Sequence, residues 1–177
     1  DGIHPPSILQ IEGAKDVTVE FYSFSKNFSM AGSRLGYVVG NAEVLKNLYT
    51  IRTNVGYGSP PALQDGGAYA LDHAEILVPP IVENYQRRRD LLLKGFTKLG
   101  WPCKPPQASM YYWLPVPKGF TSQAWVEHLI DTIGVVVTPG NAFGEGGEGY
   151  FRVSLVSPES VLQAALDRME AKGIRYN

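Results

Sequence analysis

The sequence predicts an α/β unit followed by a smaller α+β unit, and three observations support this fold class. Up to Gly100, apolar strand patterns are joined to long helix patterns, as in a sheet covered by helices. After Gly100 the order becomes strand, helix, strand, strand, helix, which is typical of an α+β layer. A long helix pattern over residues 73–100 separates the two parts. We therefore expect one domain over residues 1–95 and a second over residues 96–177.

Composition limits the classes of partner. The chain has 177 residues, of which 44% are hydrophobic and 19% charged, enough to bury one core or two small ones. A net charge of -1 gives no reason to expect a nucleic acid partner. The single cysteine, Cys103, excludes an internal disulfide framework and favours a reducing compartment. No apolar run reaches the roughly 18 residues of a membrane span, so we expect a cytoplasmic protein without membrane contact.

Two strands are expected near the start of the chain. Residues 17–24, VTVEFYSF, alternate in polarity and are rich in β-branched and aromatic side chains. Residues 34–40, RLGYVVG, are almost all apolar, which is typical of a strand buried on both faces of a parallel sheet. The prediction is that both strands belong to a larger parallel sheet.

Two helices are expected next. Residues 41–53 carry apolar side chains at helical spacing behind Asn41, a residue type that favours the N-cap position. Residues 62–73 also show a helical pattern, although Gly66 and Gly67 each weaken it by roughly 1 kcal/mol relative to alanine. Such a glycine pair serves close packing more often than chemistry.

The long pattern over residues 73–100 is expected to be an interrupted helix. Pro79 and Pro80 fall inside it and should kink or split it, because proline lacks the N–H group and clashes with the preceding turn. The run Arg87–Arg89 could hold an anion. A charge run on a helix is more often a solvated face, which is the interpretation we favour.

The second part is expected to contain three strands and two helices. The first helix follows a threonine cap and ends at a glycine, and the second starts with Ser157 as cap and Pro158 in its first turn. In chain order the predicted elements are a strand at 109–116, a helix at 121–134, strands at 135–140 and 150–157, and a helix at 157–173.

Candidate chemistry is concentrated in residues 23–36, SFSKNFSMAGSRLG. A lysine amine is a useful nucleophile when it can form a Schiff base with an aldehyde. Lys26 follows two serine hydroxyls, and Arg34 lies eight residues further along. Hydroxyl groups and the guanidinium fork are suitable donors to the phosphate of an aldehyde cofactor such as pyridoxal phosphate. The residues alone leave open the alternative of a polar surface loop.

A resemblance favours the chemical interpretation. The stretch SFSKNFSMAGSRLGYVVG, followed far downstream by TPGNAFGEGGEGYFRVSL, resembles the fold-type I pyridoxal-phosphate aminotransferases of class I/II, the group of aspartate aminotransferase. Within that group it is most similar to the LL-diaminopimelate aminotransferases. The resemblance runs along nearly the whole chain. It implies the carboxy-terminal part of the large cofactor-binding α/β domain plus the small α+β domain, and amino transfer between an amino acid and a 2-oxo acid.

The resemblance also implies roles for individual residues. Lys26 resembles the lysine that binds pyridoxal phosphate covalently and shuttles the proton. Ser23, Ser25 and Arg34 resemble the ligands of the cofactor phosphate. Arg152, in YFRVSL, resembles the arginine that binds the substrate carboxylate, with an exposed strand arginine as the alternative.

The loop TNVGYGSPP is similar to one that reaches the neighbouring subunit in these enzymes. The resemblance therefore implies a homodimer, in which Asn54 or Tyr57 approaches the neighbouring subunit's cofactor. It implies no metal ion.

Two departures from the family pattern have different consequences. Ser33 stands before the arginine where related enzymes often have tryptophan, which affects local packing only. The aspartate that pairs with the pyridinium nitrogen has no counterpart here and would lie upstream of Asp1. No substitute is evident among Asp16, Asp65, His4, His73 and His128. We therefore expect the carboxy-terminal half of an aminotransferase, and we expect the isolated chain to be inactive.

Two other functions remain open at the level of sequence. Another fold-type I enzyme, such as a carbon-sulfur β-lyase or a relative of aminocyclopropane-carboxylate synthase, would carry a similar lysine segment and a similar arginine. An inactive fragment that acts as a structural or binding module is the third hypothesis. A basic or aromatic surface patch would be expected for such a module, and the sequence shows none.

Overall fold

A computed structural model describes residues 2–176, and the chain divides into two compact units. The first unit is Gly2–Val82 and the second begins at Glu83. Within residues 2–176, no helix combines the length and the apolar character that crossing a bilayer requires.

The two strands predicted in the first unit are confirmed, but their expected parallel arrangement is wrong. Strand β1 (Val19–Ser23) pairs with β2 (Gly36–Gly40) in antiparallel register, with Ser23 opposite Gly36. Residues 24–35 fold back on themselves and return the chain beside β1, whereas parallel strands need a crossover connection. Apolar composition alone therefore misled the prediction of strand direction.

Three helices precede, separate and follow these two strands along the chain. Helix α1 (Ala14–Val17) precedes β1, and the one-turn helix α2 (Phe24–Asn27) follows it directly. Helix α3 (Ala42–Val55) confirms the prediction for residues 41–53 and its cap, since the Asn41 side-chain oxygen accepts a hydrogen bond from Val44 N–H at 2.9 Å.

Helix α4 (Pro61–Asp72) confirms the next predicted helix and explains one of its two glycines. A Cβ on Gly67 would lie 2.6 Å from the Leu35 side chain and 3.2 Å from the Phe24 ring. Gly66 has open space around it. The packing interpretation is therefore confirmed for Gly67, which lets α4 approach the lysine-bearing segment closely.

The long helix α5 (Ala74–Lys98) includes both Pro79 and Pro80, so the expectation that it splits is wrong. The two prolines withhold the N–H groups that would bond to the Glu75 and Ile76 carbonyls. The rest of the turn keeps its helical conformation around this gap. The division between the two compact units falls inside this helix.

The second unit contains a three-stranded antiparallel sheet in the order β3-β5-β4. These strands are β3 (Tyr111–Pro115), β4 (Thr138–Pro139) and the central β5 (Tyr150–Ser154). Strand β4 is shorter than predicted because Val135 N–H bonds back to Leu129 O at the end of the preceding helix.

Two helices of the second unit pack beside this sheet. Helix α6 (Ser122–Ile133) begins and ends as predicted, with a Thr121 side-chain cap and Gly134 at φ 64°. Helix α7 (Glu159–Ala171) confirms the closing helix, but Ser157 is not its cap. Pro158 takes that position at φ -56° and ψ 153°, since its extended ψ starts the helix one residue later than expected.

One face of the sheet and the helices of the second unit form the hydrophobic core. Trp101 donates its indole N–H to Pro115 O at 3.0 Å, and Tyr112 donates its hydroxyl to Arg89 O at 2.9 Å. Burial raises the pKa of Tyr112 above its ordinary value. The core is built from Leu92, Phe96, Leu99, Trp101, Tyr112, Leu114, Trp125, Leu129, Phe151, Leu155, Leu162 and Leu166.

The arginine run on α5 is only partly the solvated face that we expected. Arg87 is exposed and forms ion pairs with Glu83 at 3.1 Å and Glu159 at 3.2 Å. Arg88 instead donates to the carbonyl oxygens of Leu155 and Val156, at 3.0 and 3.2 Å. The solvated-face interpretation is therefore wrong for Arg88, which fixes the chain just beyond β5.

Candidate functional site

The lysine segment begins where β1 ends. Ser23 is the last residue of β1, and its hydroxyl oxygen accepts a hydrogen bond from Ser25 N–H at 3.2 Å, which caps α2. Lys26 lies in the only turn of α2 and is exposed. Strand β1 and the cap thus hold Ser23, Ser25 and Lys26 close together at the strand end.

The two ends of this segment are held side by side. Phe24 N–H donates to Leu35 O at 3.2 Å, and Met30 N–H donates to Phe24 O at 3.2 Å. Phe24 is only 3% exposed and anchors the turn. A Cβ on Gly36 would lie 2.6 Å from the Tyr22 carbonyl oxygen, so the strand pairing there requires glycine.

A hydrogen-bonded carboxylate secures the strand that leads into the segment. Glu20 accepts hydrogen bonds from the hydroxyls of Ser7 and Tyr22, at 2.5 and 2.8 Å. These bonds, the one from Ser7 first, lower the pKa of Glu20. The bond from Tyr22 to the carboxylate raises the pKa of the tyrosine. The Tyr22 ring also stacks on Tyr37 with centroids 4.9 Å apart, which ties β1 to β2.

Arg34 has an uncommon backbone conformation. It lies in the left-handed region at φ 50° and ψ 39°, which costs a residue other than glycine roughly 1–2 kcal/mol. The guanidinium is exposed and donates one hydrogen bond, to Ala31 O at 3.1 Å. Its remaining donors are open to an external anion.

The structure does not join Asn54 to the lysine segment. Asn54 lies in the last turn of α3 and donates to Thr50 O at 2.7 Å within its own helix. No hydrogen bond among residues 2–176 links it to Lys26 or Arg34. Tyr57, in the following loop, is fully exposed.

An open cleft of about 740 Å³ lies on the first unit and was not foreseen from the sequence. Of the candidate site residues that the sequence analysis singled out, Tyr57 lines it, whereas Ser23, Ser25, Lys26, Arg34 and Asn54 do not. Its lining is mixed, with aromatic rings, glycines and one arginine. These residues include Tyr37, Tyr49, Arg52, Gly56, Tyr57 and Gln64.

Arg152 occupies the centre of the sheet in the second unit. In register it lies opposite Trp113 on β3 and opposite Thr138 on β4. Its Nη2 donates to Thr138 Oγ1 at 3.5 Å. The guanidinium carbon lies 4.2 Å from the centroid of the Tyr111 ring and 4.6 Å from that of Phe143.

The charge of Arg152 is not neutralised within the part of the chain that the structure describes. No carboxylate oxygen of residues 2–176 comes within 4.0 Å of its guanidinium, which is half-buried. Its Nε is buried and makes no hydrogen bond. A planar cation with free donors is suited to a carboxylate, which can accept two parallel hydrogen bonds from it.

The loop before β5 is anchored by Ser122, a residue that the sequence analysis did not single out. Ser122 is fully buried, and its hydroxyl oxygen accepts hydrogen bonds from Gly149 N–H at 2.9 Å and Tyr150 N–H at 3.2 Å. Its own N–H donates to Glu148 Oε1 at 2.8 Å. The start of α6 thereby fixes the loop that carries Phe143.

The sequence analysis also missed the surroundings of Arg152. Phe143 belongs to the quoted motif PGNAFG, yet nothing in the motif says that its ring meets an arginine. Tyr111 and Thr138 could have been found only from the strand register, which places them on the same face as Arg152.

Comparisons with known proteins agree with the arrangement of these elements. Residues 3–169 match the sequence pattern of the family described as "Aminotransferase class I and II". The chain is 47% identical to LL-diaminopimelate aminotransferase 2 of Nostoc sp., a match over 99% of this chain and 45% of that protein. It is 45% identical to LL-diaminopimelate aminotransferase of Aquifex aeolicus, over 94% and 43% of the two proteins.

Solved structures give the same result for the fold. The apo-BacF structure from Bacillus subtilis superposes with a TM-score of 0.93 at 31% identity, covering 99% of this chain and 45% of that one. An aminotransferase from Staphylococcus aureus gives 0.91 at 33% identity, over 99% and 47%. The chain therefore spans less than half the length of the relatives it matches.

Proposed function

This chain belongs to the class I and II aminotransferase family, and from that premise we propose that it forms the carboxy-terminal half of a pyridoxal-phosphate-dependent aminotransferase. The full-length enzyme would move an amino group between an amino acid and a 2-oxo acid. In this proposal residues 1–95 complete the large cofactor-binding domain and residues 96–177 form the small domain. The names of the relatives favour LL-diaminopimelate as the amino donor.

The lysine segment fits the phosphate of the cofactor. Ser23 and Ser25 place hydroxyl groups at the strand end, and Arg34 keeps guanidinium donors that the chain does not use. Hydroxyls and a guanidinium are strong donors to phosphate oxygens. When bound, pyridoxal phosphate would supply an aldehyde for the lysine amine and a ring that accepts electrons.

Lys26 is suited to carrying the proton in this reaction. Its amine is exposed, and no carboxylate of residues 2–176 lies within 4.0 Å of it. The Nζ atom can therefore bind a carbonyl carbon or move a proton without first breaking an ion pair. The capped turn of α2 carries Lys26 directly after Ser23 and Ser25, two of the proposed phosphate ligands.

The single observation that carries the proposal is the unneutralised guanidinium of Arg152. A half-buried arginine without a carboxylate partner is costly unless it binds an anion, and amino acids and 2-oxo acids share a carboxylate. Thr138 and the two rings leave most of its donors open. We assign Arg152 to the carboxylate of the substrate.

The direct test uses the full-length protein with pyridoxal phosphate. It is given LL-diaminopimelate or another amino acid together with a 2-oxo acid, and the new amino acid is measured. We expect transfer, with LL-diaminopimelate as the best donor. Release of ammonia or a thiol without formation of a new amino acid would instead indicate a lyase and overturn the proposal.

The Arg34→Ala substitution should weaken cofactor binding. Removing one charge-assisted donor to the phosphate is expected to cost about 1.5–3 kcal/mol of pyridoxal phosphate affinity. The measurement is the dissociation constant of the cofactor for the full-length enzyme. Arg175→Ala is the matched control, because Arg175 is also exposed and also donates to one carbonyl, Lys98 O at 3.5 Å. Equal affinities for the two variants would contradict the assignment.

The Arg152→Ala substitution should affect the substrate rather than the cofactor. Losing a charged, two-point contact of about 1.5–3 kcal/mol should raise KM for the amino donor about 10- to 150-fold. Arg152→Lys should recover only part of this, since lysine lacks the planar fork. If Arg152→Ala lost cofactor affinity while keeping KM, the roles of Arg34 and Arg152 would be interchanged.

The proposal extends to the oligomeric state and the cellular location of the full-length enzyme. We expect a cytoplasmic homodimer in which Asn54 or Tyr57 approaches the neighbouring subunit's cofactor. The exposed position of Tyr57 supports such a reach. The chain without the rest of the enzyme is expected to lack transaminase turnover.

A further inference from the structure

We propose that Tyr111 and Phe143 are positioning residues that hold the Arg152 guanidinium in the orientation that receives a carboxylate. This inference rests on the proposed function of Arg152 and adds to it the means by which the charge is held. The two rings do so without neutralising the charge.

The contacts of Arg152 distinguish the rings from an ordinary anchor. A carboxylate that fixes an arginine occupies its donors and cancels its charge. Here the guanidinium carbon lies over two rings, at 4.2 Å from the Tyr111 centroid and 4.6 Å from the Phe143 centroid. A ring face attracts a cation through its quadrupole and needs none of the N–H groups. The donors at the edge of the guanidinium stay available.

The hydrogen bonds of Arg152 could not hold it alone. The bond from Nη2 to Thr138 Oγ1 is 3.5 Å long, at the limit of a useful interaction. The Nε group is buried and has no acceptor. The rings are therefore the principal contacts that fix the plane of the guanidinium.

Each ring is itself supported by the sheet. Tyr111 and Trp113 lie two residues apart on β3, so both are on the face that carries Arg152. Phe143 packs edge-on against Trp113 with centroids 5.6 Å apart, and Trp113 stacks on Tyr150 at 5.7 Å. Trp113, which lies opposite Arg152 in the strand register, thus supports the Phe143 ring.

The backbone that carries Phe143 is fixed by a close approach of two glycines and by the hydrogen bonds of Ser122. Phe143 ends a short turn that starts at Gly140, and a Cβ on Gly147 would overlap the Gly140 carbonyl group. The Ser122 hydroxyl oxygen accepts hydrogen bonds from Gly149 N–H and Tyr150 N–H, just after this turn. Phe143 is 54% exposed, so its ring is placed by its turn rather than by burial.

The kinetic test compares variants that lose or keep the ring in the full-length enzyme. Phe143→Leu and Tyr111→Leu keep apolar volume but remove the π face, and each should raise KM for the amino donor about 3- to 30-fold, with kcat within twofold. Phe143→Tyr and Tyr111→Phe keep the ring and should restore KM to near the unmodified value. In the Arg152→Ala background, Phe143→Leu should have no further effect on KM.

A second readout does not depend on catalysis. In the ¹⁵N-arginine-labelled full-length protein, the Nε–H signal of Arg152 should be shifted upfield by the rings and should exchange slowly with water. The exposed Arg175 serves as the reference. Phe143→Leu should reduce both effects, and Phe143→Tyr should retain them.

The two readouts separate the two proposals. An Arg152 signal that does not change in Phe143→Leu, or an unchanged KM in both leucine variants, would overturn the positioning role. The expected signals in an enzyme without transaminase activity would support the positioning role and overturn the proposed function.

Discussion

Replacing Lys26 with alanine is expected to lower the turnover of the full-length enzyme by at least about 10³-fold. The substitution would remove the amine that we propose as both the nucleophile and the proton carrier, and general acid–base catalysis alone contributes about 10²- to 10⁴-fold. The visible absorbance of the bound cofactor should disappear as well. Steady-state transamination and the absorption spectrum of the purified protein measure these two effects.

Two other lysines provide the control for this prediction. Lys46 on α3 and Lys94 on α5 are exposed on their helices, and their alanine variants should keep both turnover and absorbance. Borohydride reduction of the full-length enzyme, followed by peptide mapping, should place the pyridoxyl group on Lys26. A label on Lys46 or Lys94 would show that the lysine segment had been assigned wrongly.

Much of the fold follows from local sequence patterns. The strands and helices were found because apolar residues recur with period two or 3.6, and because Asn41, Thr121 and Gly134 are strong capping residues. Strand direction was not found, since the apolar residues of β1 and β2 suit either direction. The turn between the strands decides it, and that turn depends on tertiary contacts around Phe24.

The candidate site was predictable only in part. Lys26, Arg34 and Arg152 stand out by residue type and by their resemblance to a family motif. Their surroundings do not, because the two rings beside Arg152 come from two separate segments, strand β3 and the turn that ends at Phe143. Which residues lie opposite each other across a sheet depends on the strand register, and a single sequence does not state that register locally.

The Gly147→Ala substitution is expected to destabilise the second unit by about 1–3 kcal/mol, the range of an overpacked site. The new Cβ would overlap the Gly140 carbonyl oxygen and lie 2.5 Å from its carbon. Both groups are backbone, so no side chain can rotate out of the way. The free energy of unfolding, from urea denaturation of the full-length enzyme and its variant, measures the effect.

Gly146→Ala is the matched control one residue away, because its Cβ would have open space around it. Its free energy of unfolding should stay within about 0.5 kcal/mol of the unmodified protein. Since the turn from Gly140 carries Phe143, Gly147→Ala should also raise KM for the amino donor, whereas Gly146→Ala should not. Equal stabilities of the two alanine variants would mean that the 140–147 loop tolerates a wider spacing. Phe143 would then owe its position over Arg152 to its contact with Trp113 and to the hydrogen bonds of Ser122 rather than to the Gly147–Gly140 approach.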